Sequence, residues 1–290
     1  MTLAEDTAVR VPEPPRNGYV AMSPYGLLGA IGWTLLALLA GVIAFGIGTA
    51  LALVLQHGQL VGQGLDGLRS LPSIEQMALS LYGMLAMQIV VVLMAVLAAS
   101  RRGYRSSDVL ALRAPKSGWV YLWGPLLVIV VAIAVGNLLY YVMPDDSMQD
   151  MQLWLPLVNS DHWWLVFVVA ALGAPLSEEV WFRGFLLPSF TRTFSGNRPG
   201  KGNDPVLVRA ALPIVFAAIA TAVLFAAAHA YSSQGAITVL ALGLTLSFVV
   251  WRSGSLWAAM VSHGVYNLAV FSYVKWGMPY VEAAASGQAT

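Results

Sequence analysis

Five ionisable side chains sit where a chain this apolar should carry none: Glu178, Glu179, Arg183, His229 and His263. Each lies within or at the end of an apolar run, where an ionisable group costs about 2.5–3.5 kcal/mol even on a lenient insertion scale. All five fall in the C-terminal half. In Glu178-Glu179-Val180-Trp181-Phe182-Arg183, a helix would place Glu179 and Arg183 on one face, four residues apart, as an ion pair. Glu178 is turned by about 100° from its neighbour and stays available for chemistry. His229 closes the stretch Phe225-Ala226-Ala227-Ala228-His229. His263 opens His263-Gly264-Val265-Tyr266-Asn267, which puts His263 and Asn267 on one helical face.

Such a set could hydrolyse a bond. With no cysteine and no serine-centred elbow, water is the economical nucleophile. Glu178 could deprotonate it, and His229 could hold it or bind a metal that does. His263 and Asn267 could donate to the oxyanion of a tetrahedral intermediate, at about 2.7–4 kcal/mol per well-placed donor. Glu178, His229 and His263 also match a Zn2+ site of two histidines and a carboxylate, and a metal-free mechanism is equally compatible. There is no HExxH spacing, so any such ligands must converge from different helices. Taken one motif at a time, each of these residues could instead serve helix packing or an interfacial anchor; three motifs in one chain make that reading less comfortable. His57 and His162 lie at expected span boundaries and receive no role.

The elements that must position these groups are membrane helices. Charged residues make up 10% of the 290 and apolar residues 58%, more apolar surface than a globule of this size can hide. Apolar runs occur at roughly 25–55, 75–99, 118–143, 163–187, 209–228, 235–251 and 254–275. Most reach the roughly 20 residues that cross the hydrocarbon, and only helices satisfy their own backbone there. The expected fold is therefore all-α, a polytopic transmembrane bundle of about seven spans (six to eight). Residues 1–24 read as a disordered cytoplasmic tail, 25–155 as N-terminal transmembrane helices, 156–278 as the catalytic membrane domain and 279–290 as a disordered tail.

Near the N-terminus no signal-peptide pattern is seen, so the first run should remain as an anchor. Arg10, Arg16, Arg101, Arg102, Arg105, Arg113, Lys116, Arg192, Arg198, Lys201, Arg209 and Arg252 fall on one predicted side, and only Arg69 and Lys275 on the other. That bias puts the N-terminus in the cytoplasm. Composition suits a bacterial cytoplasmic (inner) membrane. The stretch 104–116 reads either as a short helix on the cytoplasmic surface or as a solvated loop. One tension remains. With these limits Glu178 lies nearer the cytoplasm, His263 mid-span and His229 nearer the outside. A shared site requires the fifth helix to start near Pro213, the fourth to break at Gly173–Pro175, or both.

Glu178-Glu179-x-x-x-Arg183, Phe225-x-x-x-His229 and His263-x-x-x-Asn267, in this order, resemble the CPBP family. These are the type II CAAX prenyl protease and bacteriocin-processing membrane proteins, also called the ABI family. The resemblance covers roughly residues 160–275. It implies an all-helical intramembrane peptidase in which Glu178 activates water and His229 is its partner or a metal ligand. It further implies that His263 and Asn267 form the oxyanion site, while Glu179 and Arg183 hold the first motif in shape. The family is often described as metalloproteases, and a glutamate-dependent route without metal has also been put forward. Expected partners are membrane lipid and a membrane-associated or lipidated peptide or protein substrate, not nucleic acid; oligomeric state stays open. A non-catalytic adaptor for a sensor kinase or transporter, or a proton-coupled transporter, are the competing functions. The latter lacks the paired broken helices of an inverted repeat.

Overall fold

In lipid, a long apolar run winds as a helix because every N–H and C=O then finds a partner within its own segment. The structure, a computed structural model, describes residues 19–101, 105–144, 149–152, 154–196, 206–208, 211–229 and 231–278. Six of its helices are long and apolar enough to cross a membrane: α1 (Leu27–Gln56), α2 (Ser73–Ala99), α3 (Val120–Val142), α4 (Trp163–Phe194), α5 (Ala211–His229) and α6 (Ser233–Ser253). A seventh, α7 (Leu256–Ser272), continues as a π-helix over Tyr273–Gly277 and so reaches spanning length. The protein is an all-helical integral membrane bundle, with one small exception. A strand β1 (Tyr19–Ala21) pairs antiparallel with β2 (Val206–Val208), with Tyr19 opposite Val208.

Hydrogen bonds between connections define the two ends of the bundle. At one end Ser23 meets Ser189, Leu256 N donates to Ala111 O, and Arg113 Nε donates to Gly254 O. At the other, Glu75 lies between His57 and His162, and Gln234 caps the Leu139 and Met143 carbonyls at the end of α3. Successive helices therefore alternate in direction. In α1 only 17% of the most apolar window is buried, against 56% in α4. Lipid solvates α1, whereas α4 runs through the middle of the protein.

Three expectations need correction. The N-terminal segment is ordered from residue 19 onward: Ser23 and Tyr25 are buried, and Arg192 Nη1 donates to Ser23 O. Residues 1–18, the tail 279–290 and most of the polar stretch 195–205 lie outside the described residues. Of the two alternatives for 104–116, a surface helix and a loop, the helix is the one that the described residues 105–116 do not form. A single helical turn, Ser106–Val109, leads into Leu110 and Ala111, which are buried, and Ala111 adopts φ 52° to turn the chain back. Finally, α4 is not broken at Gly173–Pro175. It runs unbroken to Phe194, past the expected end at 187, which sets Glu178 midway along it. The fifth helix is described from Ala211, so it starts slightly before Pro213. The depth mismatch disappears chiefly because α4 is longer than its apolar run.

Candidate active site

Two π-helical stretches, Val168–Gly173 and Glu179–Leu186, flank the α-helical turn Ala174–Glu178 within α4. A π turn bonds each carbonyl to the amide five residues on. The Ala170 carbonyl would then need the amide of residue 175, which is Pro175 and has none. Asn267 Nδ2 on α7 donates to Ala170 O at 2.7 Å instead. Next to it, Gln88 Nε2 on α2 donates to Val169 O at 3.1 Å. Gly264 packs so close that a Cβ there would lie 2.9 Å from Ala171 O. The irregular turn is thus pinned from both sides, and its position fixes the glutamates that follow.

Glu179 is fully buried and Arg183 nearly so. Arg183 Nη1 donates to Glu179 Oε1 at 2.8 Å and Nη2 to Gly243 O at 3.2 Å, with the guanidinium carbon 4.3 Å from the Phe225 ring centroid. The same Glu179 oxygen lies 2.9 Å from His263 Nδ1. A carboxylate only accepts, so Nδ1 carries the proton and His263 Nε2 presents its lone pair. His229 obeys the same logic. Its Nδ1 lies 2.8 Å from Phe225 O, again only an acceptor, so its Nε2 is also a lone pair.

Both lone pairs face Glu178. Oε2 of Glu178 lies 3.9 Å from His229 Nε2 and 3.9 Å from His263 Nε2. That oxygen is shut off from solvent and has no hydrogen-bond partner among the described residues. Three acceptors converge on one point with no donor among them. Something that donates protons, or a cation, must complete the arrangement.

A water hydrogen-bonded at about 2.8 Å to each member of a pair spans the 3.9 Å separations comfortably. A zinc ion fits in donor identity and orientation, since each Nδ1–H is anchored by a carbonyl or carboxylate as metal-binding histidines require. Two ligands on one tetrahedral zinc sit about 3.3 Å apart, so Glu178, His229 and His263 would have to close inward to hold it. As they stand, no group of His, Asp or Glu among the described residues is set closely enough for a metal ion.

Of the six residues singled out from sequence, five are brought into one cluster: Glu178, Glu179, Arg183, His229 and His263. Asn267, one helical turn beyond His263 on α7, donates one amide hydrogen to Ala170 O. Sequence reasoning missed Gln88, whose only signal was a lone amide in an apolar helix. It also missed Tyr231 and Asp150. Asp150 accepts from Ser232 N at 2.9 Å and from Ser232 Oγ at 2.6 Å, fixing the short link after His229. Tyr231 lies in that link with its ring 5.3 Å from the His229 ring. Burial first, then the carboxylates of Glu178 and Asp150 and the Tyr266 phenol, push the Tyr231 hydroxyl up to about 12. It is a phenol at neutral pH, on a ring that neighbours His229. His57 and His162 flank Glu75 at the far end of the bundle, away from this cluster.

No curated protein and no solved structure matches the chain. Residues 160–269 match the family described as "Type II CAAX prenyl endopeptidase Rce1-like", and all six residues fall inside that segment. The matched segment runs from just before α4 into α7, the helices that carry the acceptors and their anchors. The segment that builds the cluster is therefore similar to the Rce1-like type II CAAX prenyl endopeptidases, a protease family, consistent with the CPBP motifs in its sequence.

Proposed function

We propose that this protein is an intramembrane endopeptidase that hydrolyses a peptide bond in a membrane-associated or lipidated peptide or protein. The observation that carries this reading is the donor-free convergence of Glu178 Oε2, His229 Nε2 and His263 Nε2. A water placed there gives one hydrogen to Glu178 and one to a histidine, and turns an oxygen lone pair toward the substrate carbonyl. Glu178 takes the proton as the oxygen attacks the carbonyl carbon. The negative charge that develops on the carbonyl oxygen needs donors. The free amide hydrogen of Asn267 and the phenol of Tyr231 supply candidates, and His263 Nε2 does so once it holds a proton. Collapse of the intermediate breaks the C–N bond, and the proton held by Glu178 goes to the leaving nitrogen. Glu179 and Arg183 act through His263 and are positioning residues. A metal held by Glu178, His229 and His263 would supply Lewis-acid activation of the same water.

The charge bias of the connections supports an orientation with the N-terminus in the cytoplasm and residence in a bacterial inner membrane. The test is peptide cleavage by purified protein in detergent, with wild type, Glu178→Gln and His229→Ala compared with and without a chelator. Loss of a general base lowers the rate by about 10²–10⁴-fold, and both variants should do so while remaining folded. Undiminished cleavage by Glu178→Gln overturns the assignment. Loss of wild-type activity with chelator and its return with Zn2+ assigns the water to a metal; indifference to chelator assigns it to Glu178 and the histidines alone.

A further inference from the structure

A second polar cluster joins three helix ends and takes no part in the peptidase chemistry. Glu75 stands in the first turn of α2, where the helix dipole favours a carboxylate. His57 closes α1, and His162 immediately precedes α4. Each imidazole faces its own oxygen of the one carboxylate. His57 Nε2 lies 3.8 Å from Glu75 Oε2, and His162 Nε2 lies 3.5 Å from Glu75 Oε1. The side chains of His57, His162 and Glu75 are 20%, 25% and 31% exposed, so protons reach them while most of each group is shielded.

Both separations exceed the roughly 2.7–2.9 Å of a charge-assisted hydrogen bond. His57 Nε2 is also shut off from solvent and has no hydrogen-bond partner among the described residues. A protonated imidazole donates from both nitrogens, and a closure of about 1 Å would give that nitrogen its partner. The charges on neighbouring elements do not compete. Asp66 and Arg69 pair with each other at 3.6 Å, Asp161 is exposed, and Lys275 Nζ donates to Val158 O at 2.9 Å.

We propose that His57, Glu75 and His162 form a clamp that acid tightens. Histidine gains its charge as pH falls from about 8 to about 5. Glu75 then draws both rings inward and ties the end of α1 to the starts of α2 and α4. The stabilisation is present while the rings are charged and is lost as rising pH discharges them. Because α2 also carries Gln88, which holds Val169 O, acid braces the two helices that set the π turn of α4. On the orientation proposed above, this end lies away from the cytoplasm, so the outer pH sets the clamp. The test reads no cleavage, so neither this reading nor the peptidase reading depends on the other.

The test is thermal unfolding of the full chain in detergent at about pH 5.5 and about pH 8. Wild type should exceed Glu75→Gln by about 2–4 °C at the acid value and by less than about 1 °C at the alkaline one. His57→Gln with His162→Gln should lose the same acid increment, and adding Glu75→Gln to that pair should lower the midpoint no further. Hydrogen exchange, corrected for its intrinsic pH dependence, should show protection around His57 and His162 rising with acid in wild type alone. Should Glu75→Gln fail to fold, the double histidine variant and the exchange measurement carry the test. An equal wild-type advantage at both pH values marks ordinary neutral hydrogen bonds and overturns the proposal. So does an acid increment that survives in the double histidine variant. A midpoint that responds to Zn2+ and not to acid would make the trio a metal site, and overturns it as well.

Discussion

His263 on α7 gives its Nδ1–H to Glu179 on α4 across 2.9 Å, and thereby turns its other nitrogen, as a bare lone pair, toward Glu178. The bond is more than packing. Glu179 Oε1 also takes a hydrogen from Arg183, so one buried oxygen joins an ion pair to the tautomer of a site histidine. In the paired glutamates, the buried one orients His263, and the partly exposed one is the base in the mechanism proposed above.

Removing one partner of a buried ion pair costs about 3–5 kcal/mol, because the other charge is stranded. Glu179→Leu should lower the unfolding midpoint markedly, and Glu179→Leu with Arg183→Met should lose less than the two single changes together. Peptide cleavage should fall in both variants that lack Glu179, since His263 loses its anchor. Thermal unfolding in detergent alongside the cleavage assay checks both, and full activity in a folded Glu179→Leu variant would refute the positioning role.

Pro175 and Asn267 should be coupled. With Pro175 present, Asn267→Ala leaves the Ala170 carbonyl without a donor, at about 1–3 kcal/mol for a buried unsatisfied group. Pro175→Ala restores an amide at the right position, so Asn267→Ala should cost little in that background. A double-mutant cycle by thermal unfolding measures the difference. Additivity within about 0.5 kcal/mol would show that the missing amide is not why Asn267 is there.

Gly264 stands beside His263 and against the Ala171 carbonyl. An added Cβ would sit 2.9 Å from that oxygen, so Gly264→Ala must push α7 from α4. Overpacking of this kind costs about 1–3 kcal/mol, partly offset by the better helix propensity of alanine. Activity should suffer more than stability, by about 10²-fold, because a displacement of about 1 Å moves His263 from Glu178. Cleavage rates and melting midpoints measured together decide it.

Tyr231 sets a pH window. Its ordinary value is 10.0, and burial with the neighbouring carboxylates raises it to about 12. Below 10 both folded and unfolded chains carry the phenol, and the group adds no pH dependence to stability. Between 10 and about 12 the unfolded chain ionises while the folded one does not, so stability falls as pH rises through that window. Wild type should therefore lose more of its melting midpoint there than Tyr231→Phe does. Parallel slopes for the two proteins would remove Tyr231 from its buried, carboxylate-flanked setting.

The spans were legible because hydropathy needs no knowledge of neighbours. All seven apolar runs became helices, and most of their limits moved by only a few residues. Glu178, Glu179, Arg183, His229 and His263 were legible for the complementary reason, that ionisable groups are conspicuous in apolar company. The extent of α4 was not, since its last turns, Leu187–Phe194, are polar and owe their helicity to burial against the rest of the bundle. Nor was the role of Asn267. Its spacing from His263 suggested a shared task, whereas its principal bond answers a vacancy that Pro175 creates on another helix. Tyr231 and Asp150 sit in connections, where hydropathy carries no pattern, and only the folded chain brings Asp150 to the link that follows His229.

The π stretches of α4 have a last consequence. A wide turn inserts extra backbone into a rod, and local residue preferences do not sustain it. Here Gln88 on α2 and Asn267 on α7 impose the winding from outside. Excised and placed alone in micelles, residues 163–194 should relax to regular α-helical pitch, swinging Glu178 around the rod axis. The address of the Glu178 carboxylate is thus written in the surrounding helices rather than in the segment that bears it.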